Sequence, residues 1–199
     1  MTRMTPKEIN ILLLDENPKE ASLIREKLSD IPEISVQLTQ FDKIETAREL
    51  LLHTSASLIL ISINSSASDE LEKIVRIGQI APSLPIIALI GAETDDLGLQ
   101  VIRAGAEEYL VKNKIEPEIL ARTFRYAIER KKSSDRANES EKRYKELVNM
   151  LPQIVFEMDL NGIITFANEL AVKSFGYDPV DFSNGFPAIQ MIAEKDRAR

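Results

Sequence analysis

The sequence predicts an α/β protein whose first two thirds form a parallel β-sheet covered by helices on both faces. Between residues 9 and 132 of the 199-residue chain, five short apolar runs alternate with five amphipathic helical segments. Four of the apolar runs are almost uninterrupted, which is typical of parallel strands that are buried on both faces. Parallel strands joined by helices close most naturally into a doubly wound sheet.

The individual elements follow from periodicity and from capping residues. The predicted strands occupy residues 9–15, 34–41, 58–63, 85–91 and 107–111. The predicted helices occupy residues 18–31, 42–54, 69–81, 94–105 and 116–132. Asn17 is a suitable N-cap in front of Pro18, a residue that favours the first turn of a helix. Asp42, three residues before Glu45, forms the pattern of a capping box for the second helix.

The pattern changes after residue 130, where a second and smaller unit is predicted. Residues 116–150 are expected to form one continuous helix whose second half is polar. The segments IVFEMD and IITFA then alternate around Asn161 and Gly162, which indicates a β-hairpin. A short helix, NELAVKSFG, follows and ends at Gly176. Two strands and short helices bury little apolar surface, so this unit is expected to be only marginally stable alone.

Composition excludes several classes of function. The chain has no cysteine and one histidine, His53, so thiolate chemistry and histidine-rich metal clusters are excluded. The net charge of −7, without a basic stripe, argues against nucleic-acid binding. No apolar run is long enough to span a bilayer, and the N-terminus has no apolar signal core. We therefore expect a cytoplasmic protein with neither nucleic acid nor membrane as a partner.

The candidate functional residues lie just beyond the carboxyl ends of the predicted strands, where doubly wound sheets bind their ligands. They are Asp15 and Glu16 after the first strand, Ser62 to Asn64 around the end of the third, Ile90 and Gly91 after the fourth, and Lys112 and Asn113 after the fifth. Lys112 is expected to pair with Asp15 or Glu16, and Ser62 is expected to be hydrogen-bonded.

Four segments of residues 8–131 resemble the receiver domain of two-component response regulators: ILLLDENP, LILISI, PIIALIGAETD and AGAEEYLVKNKI. The resemblance implies a flavodoxin-like sheet with strand order 2-1-3-4-5. It also implies a phosphoacceptor aspartate after the third strand and an acidic pair that holds Mg²⁺ after the first. A hydroxyl residue would end the fourth strand, and a phosphate-binding lysine would end the fifth.

Part of that site is matched. Asp15 and Glu16 stand at the acidic pair, Lys112 stands at the phosphate-binding lysine, and Tyr109 stands at the aromatic switch position. The resemblance leaves open a weak Mg²⁺ site at Asp15 and Glu16.

Two positions of the site depart from the receiver pattern, and Asn113 replaces the proline that usually follows the lysine. Ser62 replaces the phosphoacceptor aspartate, and Ile90 replaces the hydroxyl residue. A serine hydroxyl is a weak nucleophile unless a base activates it. Its neutral oxygen is also a poorer Mg²⁺ ligand than a carboxylate. We therefore predict a degenerate receiver with no catalytic residue, no cofactor and no firmly bound metal.

The remaining residues resemble the first half of a PAS domain. The segments that carry this resemblance are LPQIVFEMDLNGIITFANELAVKSFGYDPVDF and MIAEKDRAR. The domain organisation is thus a receiver-like domain at 8–131, a linker or signalling helix at 132–150 and a partial PAS unit at 151–199. Receiver–PAS sensor histidine kinases have this arrangement. The chain contains no glycine-rich ATP loop and no histidine box, so it is not expected to be an enzyme, and we expect a fragment of a longer protein.

The expected function is signal transduction of the two-component, phosphorelay type, by protein–protein interaction without aspartate phosphorylation. The expected docking surface comprises the fourth helix, fifth strand and fifth helix, around Leu97 to Arg125. A homodimer could form through the linker helix, where Leu120, Ala127 and Ser134 lie seven residues apart. Two alternatives stay open. One is an active receiver that uses Asp15, Glu16 or Asp69 as phosphoacceptor, and the other is a purely structural dimerisation module.

Overall fold

The computed structural model of the chain describes residues 7–29, 31, 34–64, 68–91, 95–176 and 186–191. The chain divides into two units, Met1–Asp135 and Arg136–Arg199. None of the helices in the described ranges is long and apolar enough to cross a membrane.

The first unit is the predicted doubly wound sheet. Its strands are β1 (Lys7–Leu14), β2 (Ile34–Phe41), β3 (Leu58–Ile63), β4 (Ile86–Ile90) and β5 (Glu108–Val111). Its helices are α1 (Pro18–Ser29), α2 (Ile44–His53), α3 (Ser68–Ile80), α4 (Asp95–Arg103) and the beginning of α5 (Pro117–Asn149). All strand pairs are parallel and their order is β2-β1-β3-β4-β5, which confirms the predicted topology.

Alternation along the strands divides the core of the first unit into two layers. On β1, Ile11 and Leu13 belong to a cluster that is completed by buried side chains of α1 and α5. Leu12 and Leu14 belong to a second cluster that is completed by α2, α3 and α4. All described side chains of β3 and β4 are buried, as expected for central parallel strands.

A capping side chain explains where α1 begins but not where α2 begins. The Asn17 side chain accepts a hydrogen bond from the backbone amide of Lys19 at 3.1 Å, which confirms the predicted cap of α1. The predicted cap of α2 at Asp42 is wrong. Lys43 is the N-cap, makes no side-chain capping bond and precedes Ile44, whose side chain is buried in the core. Packing of Ile44 therefore outweighs the local capping pattern.

Helix α5 is a single helix of 33 residues, as predicted. Leu120, Phe124 and Ala127 are buried in the core of the first unit. Ser134 and Asn138, further along the helix at seven-residue spacing, are exposed polar residues. The apolar residues at the beginning of the predicted coiled-coil seam therefore pack against the core of their own chain.

The second unit contains a small antiparallel sheet. Its elements after α5 are β6 (Phe156–Met158), β7 (Ile163–Ala167), α6 (Glu169–Phe175) and β8 (Phe186–Pro187), with strand order β6-β7-β8. The predicted hairpin around Asn161 and Gly162 is confirmed, and Gly162 has a φ of +79°. Much of FGYDPVDF and nearly all of MIAEKDRAR, which contribute to the PAS resemblance, lie outside the described residues.

Asn168 is the polar centre of the second unit. Its side chain is fully buried and caps α6 by accepting a hydrogen bond from the amide of Ala171 at 3.0 Å. The same oxygen accepts from the amide of Val155, and the side-chain nitrogen donates to the carbonyls of Val148 and Gln153. One side chain therefore connects the end of α5, the approach to β6 and the start of α6.

Candidate functional site

The carboxyl ends of the parallel strands form one edge of the first unit. At this edge the structure brings together Asp15, Glu16, Ser62, Ile90 and Lys112. Two other candidates lie elsewhere. Asp69 is exposed in the first turn of α3, and His53 is the exposed last residue of α2.

Asp15 and Ser62 form the buried polar floor of the edge. The pairing of Leu14 with Ile61 makes them adjacent positions on neighbouring strands, and their side chains are 3% and 5% exposed. Asp15 Oδ1 accepts a hydrogen bond from the amide of Asn17 at 2.8 Å. Among the described residues, Asp15 Oδ2 and Ser62 Oγ have no hydrogen-bond partner.

The predicted hydrogen bond of Ser62 has no partner among the described residues. Its side chain lies at the end of a strand whose neighbouring residues, Ile61 and Ile63, are fully buried and apolar. A buried polar atom without a partner costs about 1–3 kcal/mol. Besides Asp15 Oδ2 and Ser62 Oγ, the other unpaired buried side-chain atom among the described residues is Asn10 Oδ1, on β1.

Ile90 and Tyr109 are core residues in this structure. Ile90 is fully buried in the cluster beneath α2, α3 and α4, and Tyr109 is half-buried against the same cluster. A Cβ atom on Gly98 of α4 would lie 2.7 Å from a ring carbon of Tyr109. A larger residue at this helical position would therefore require the ring of Tyr109 to shift. Sequence analysis missed Gly98, because a glycine inside a helical pattern gives no information about what lies against it.

Lys112 does not pair with either residue that the sequence suggested. It follows β5 directly and forms an ion pair with Glu20 in the first turn of α1. Its ammonium also donates to Asn64 Oδ1 at 2.9 Å. The prediction of a pair with Asp15 or Glu16 is wrong because Glu20 presents its carboxylate to Lys112, whereas Glu16 contacts a different cation.

That other cation is Lys73 of α3. Its Nζ atom lies 3.0 Å from Glu16 Oε1 and 2.7 Å from Glu70 Oε1. Burial alone lowers the pKa of Lys73, but hydrogen bonds and charge attraction from Glu70 and Glu16 outweigh it, so the pKa is raised above its ordinary value. Glu70 also accepts, through Oε2, a hydrogen bond from the backbone amide of Asn64 at 3.3 Å.

Sequence analysis missed Lys73, Glu70 and Glu20. The spacing of Glu70 and Lys73, three residues apart on a helix, is a signal for a local ion pair. No sequence signal indicates that Lys73 also reaches Glu16, since 57 residues separate them.

Comparison with known proteins gives matches only at the level of structure. No protein-family model matches the chain, and no curated protein matches it. Solved structures do match, at 20% identity or less in the examples that follow, and at that identity the likeness shows the fold alone.

Three of these structures illustrate the likeness. A protein assigned as a response regulator from Chloroflexus aurantiacus is 18% identical, with a TM-score of 0.51 over 61% of this chain and 98% of that chain. A pilus assembly-related protein from Burkholderia pseudomallei is 18% identical, with a TM-score of 0.52 over 64% and 94%. NtrX from Brucella abortus is 20% identical, with a TM-score of 0.54 over 76% of this chain and 32% of that chain. The structural neighbours include response-regulator receiver domains, so the first unit has the receiver fold.

Receiver folds are associated with Mg²⁺, but the residues at this edge do not fit the ion. Mg²⁺ prefers a near-octahedral shell of oxygen atoms with help from carboxylates. Glu16 is paired with Lys73, and position 62 offers a neutral hydroxyl in place of a carboxylate. No group of three or more metal-binding side chains occurs within the described ranges.

Proposed function

We propose that this chain acts in two-component signal transduction as a degenerate receiver that recognises proteins and is not phosphorylated on an aspartate. The observation that carries the proposal is Ser62, buried at the end of β3 without a hydrogen-bond partner among the described residues. A hydroxyl in that state has no base positioned to remove its proton, so it is a poor nucleophile. The chain would then have no catalytic activity of its own.

The other positions of the edge support the same proposal. Ile90 has no hydrogen-bonding group and is buried in the core. Lys112 is held by Glu20 and Asn64, so its charge is already compensated within the protein. Binding of a phosphoryl group would have to displace these contacts.

A recognition surface is proposed on α4, β5 and the first part of α5. On α4, Leu97 and Val101 are buried, whereas Leu99 and Ile102 are exposed. On α5, Tyr126 is exposed two residues beyond the buried Phe124. Exposed apolar side chains at such positions suit a protein partner better than a nucleic acid, which would require basic residues.

Helix α5 is proposed to couple this domain to a PAS-type sensor unit. The helix runs without interruption from Pro117 to Asn149 and provides residues to both units. We also propose that its polar second half pairs with a second copy of the chain. A mass of one chain at every tested concentration in analytical ultracentrifugation would contradict that homodimer.

The decisive experiment is intact-mass analysis after incubation with Mg²⁺ and a small acyl-phosphate donor. We expect no phosphoryl adduct on the native chain. A variant carrying Ser62→Asp and Ile90→Thr serves as the matched comparison, because it restores the residue types of the receiver pattern at these two positions. Labelling of that variant alone would show that the remaining edge can still support phosphorylation.

An adduct on the native chain would contradict the proposal, and its acid stability would show what carries it. An acid-stable adduct would place the phosphoryl group on a hydroxyl such as Ser62. A labile adduct would place it on a carboxylate and favour an active receiver that uses Asp15, Glu16 or Asp69.

A further inference from the structure

We propose that Lys73 is a built-in cation that takes the place of a divalent metal at the carboxyl edge of the sheet. Its ammonium contacts Glu16 at 3.0 Å and Glu70 at 2.7 Å, and its side chain is 21% exposed. This inference deepens the proposed function and rests on it, since it concerns the same degenerate edge.

The charges at the edge explain why a cation is needed. The carboxylates of Glu16 and Glu70 both lie within 3.0 Å of the Lys73 ammonium, next to the ends of β1 and β3. Carboxylates that lie close together repel one another and destabilise the folded state unless a positive charge lies among them. Lys73 supplies that charge from within the chain, so its presence does not depend on the concentration of a metal ion.

The same contacts oppose binding of a metal. An incoming Mg²⁺ would need Glu16 as an oxygen ligand, and would therefore have to displace the Lys73 ammonium or bind against its repulsion. Among the described residues, Asp15 offers one unpaired oxygen, Oδ2, because its Oδ1 atom already accepts a hydrogen bond from the amide of Asn17. Ser62 contributes no negative charge.

Lys73 also joins parts of the chain that lie far apart in sequence. It connects α3 to the residue that follows Asp15, while Lys112 connects the end of β5 to Glu20 of α1 and to Asn64. The two lysines thus close the edge with internal ion pairs. The side chains of this edge would then keep the same contacts with and without Mg²⁺.

The test compares three full-length variants in which Ser62→Asp places a carboxylate at the end of β3. The first carries Ser62→Asp alone, the second adds Lys73→Met, and the third adds Arg76→Met. Arg76 lies one turn beyond Lys73 on α3 and pairs with Glu45 at 2.9 Å. Its replacement therefore removes the same charge and one ion pair from the same helix, away from the edge.

Binding of Mn²⁺, as a spectroscopic probe for Mg²⁺, is measured by electron paramagnetic resonance without any phosphate donor. We expect Lys73→Met to tighten Mn²⁺ binding on the order of tenfold relative to Ser62→Asp alone, the change produced by removing about one unfavourable charge contact. Arg76→Met should leave the affinity unchanged. Equal affinities in the Lys73→Met and Arg76→Met variants would overturn the inference, as would Mn²⁺ binding by the native chain as tight as in the Lys73→Met variant.

Circular dichroism establishes first that each variant is folded. If Lys73→Met is not folded, Lys73→Gln replaces it, because glutamine keeps a donor for Glu70 without the charge; the same tightening is expected. The test is independent of phosphorylation. Tight Mn²⁺ binding by a native chain that takes up no phosphoryl group would overturn the role of Lys73 and leave the proposed function intact.

Discussion

The two units of this chain are stabilised in different ways, although helix α5 contributes to both. In the first unit every side chain of β3 and β4 is buried, and apolar clusters fill both faces of the sheet. In the second unit all three side chains of β6 are exposed, and the described core is centred on Ile164 and Phe186. Burial of apolar surface therefore dominates the first unit, whereas hydrogen bonds to buried or turn-forming polar side chains have a larger share in the second.

The two units also differ in how completely their buried polar side chains are hydrogen-bonded. In the first unit the buried polar side chains, Asp15 and Ser62, occur at the edge and are only partly satisfied. In the second unit the buried Asn168 has partners for both its oxygen and its nitrogen. The buried polar side chains of the first unit are thus less completely paired than Asn168 of the second.

The largest expected effect is the loss of a core side chain from the first unit. Phe124→Ala removes a fully buried ring from α5 and should lower the free energy of unfolding by about 3–5 kcal/mol. Tyr126→Ala is the control on the same helix, where the side chain is 59% exposed, and it should change stability by less than about 0.5 kcal/mol. Urea denaturation measures both. Similar losses for the two variants would show that burial does not dominate this unit.

A smaller effect is expected from the polar centre of the second unit. Asn168→Ala removes the cap of α6 and leaves buried backbone groups unpaired, which should destabilise this unit by about 2–3 kcal/mol. Asn149→Ala, which removes a single exposed bond to the amide of Glu169, should cost about 1 kcal/mol or less.

Amide hydrogen exchange measures this difference unit by unit. In the Asn168→Ala variant, exchange should accelerate at Val155 and Ala171 and stay unchanged at Ile59 of the first unit. Equal acceleration at Ile59 would mean that the two units unfold together and would break the distinction between them.

The smallest effect concerns pH and the hairpin turn of the second unit. The backbone amide of Ile163 donates to Asp159 Oδ1 at 2.8 Å, and this bond, with those from Asn161, lowers the pKa of Asp159 below its ordinary value of 3.8. A carboxylate with a lowered pKa contributes stability above the unfolded-state pKa, and this contribution is lost as the pH falls through the folded-state pKa. Exchange of the Ile163 amide should therefore lose protection below about pH 4.

Asp159→Asn is the variant that tests this assignment. It should remove most of the pH dependence of protection at Ile163, because asparagine does not titrate. Exchange must be corrected for its intrinsic pH dependence, for which an exposed amide in the same chain serves as reference. An unchanged pH profile in the variant would assign the effect to another group.

The elements of the first unit could be predicted from the sequence because burial on both faces produces a local pattern. Runs such as LILISI need no knowledge of their neighbours to be recognised as buried strands. The residues of α5 show the limit of such patterns. Leu120, Phe124 and Ala127 fit both a coiled-coil seam and a domain core, and only the position of the sheet assigns them to the core.

The sequence by itself determined the strands, the helices, the hairpin and the presence of serine and isoleucine at two positions of the edge. Tertiary structure alone decided which cation meets which carboxylate. Lys112 reaches Glu20 across 92 residues and Lys73 reaches Glu16 across 57, and Tyr109 lies over Gly98 on another element. Periodicity follows from the geometry of one helix or strand, whereas these contacts depend on how several elements are placed in three dimensions.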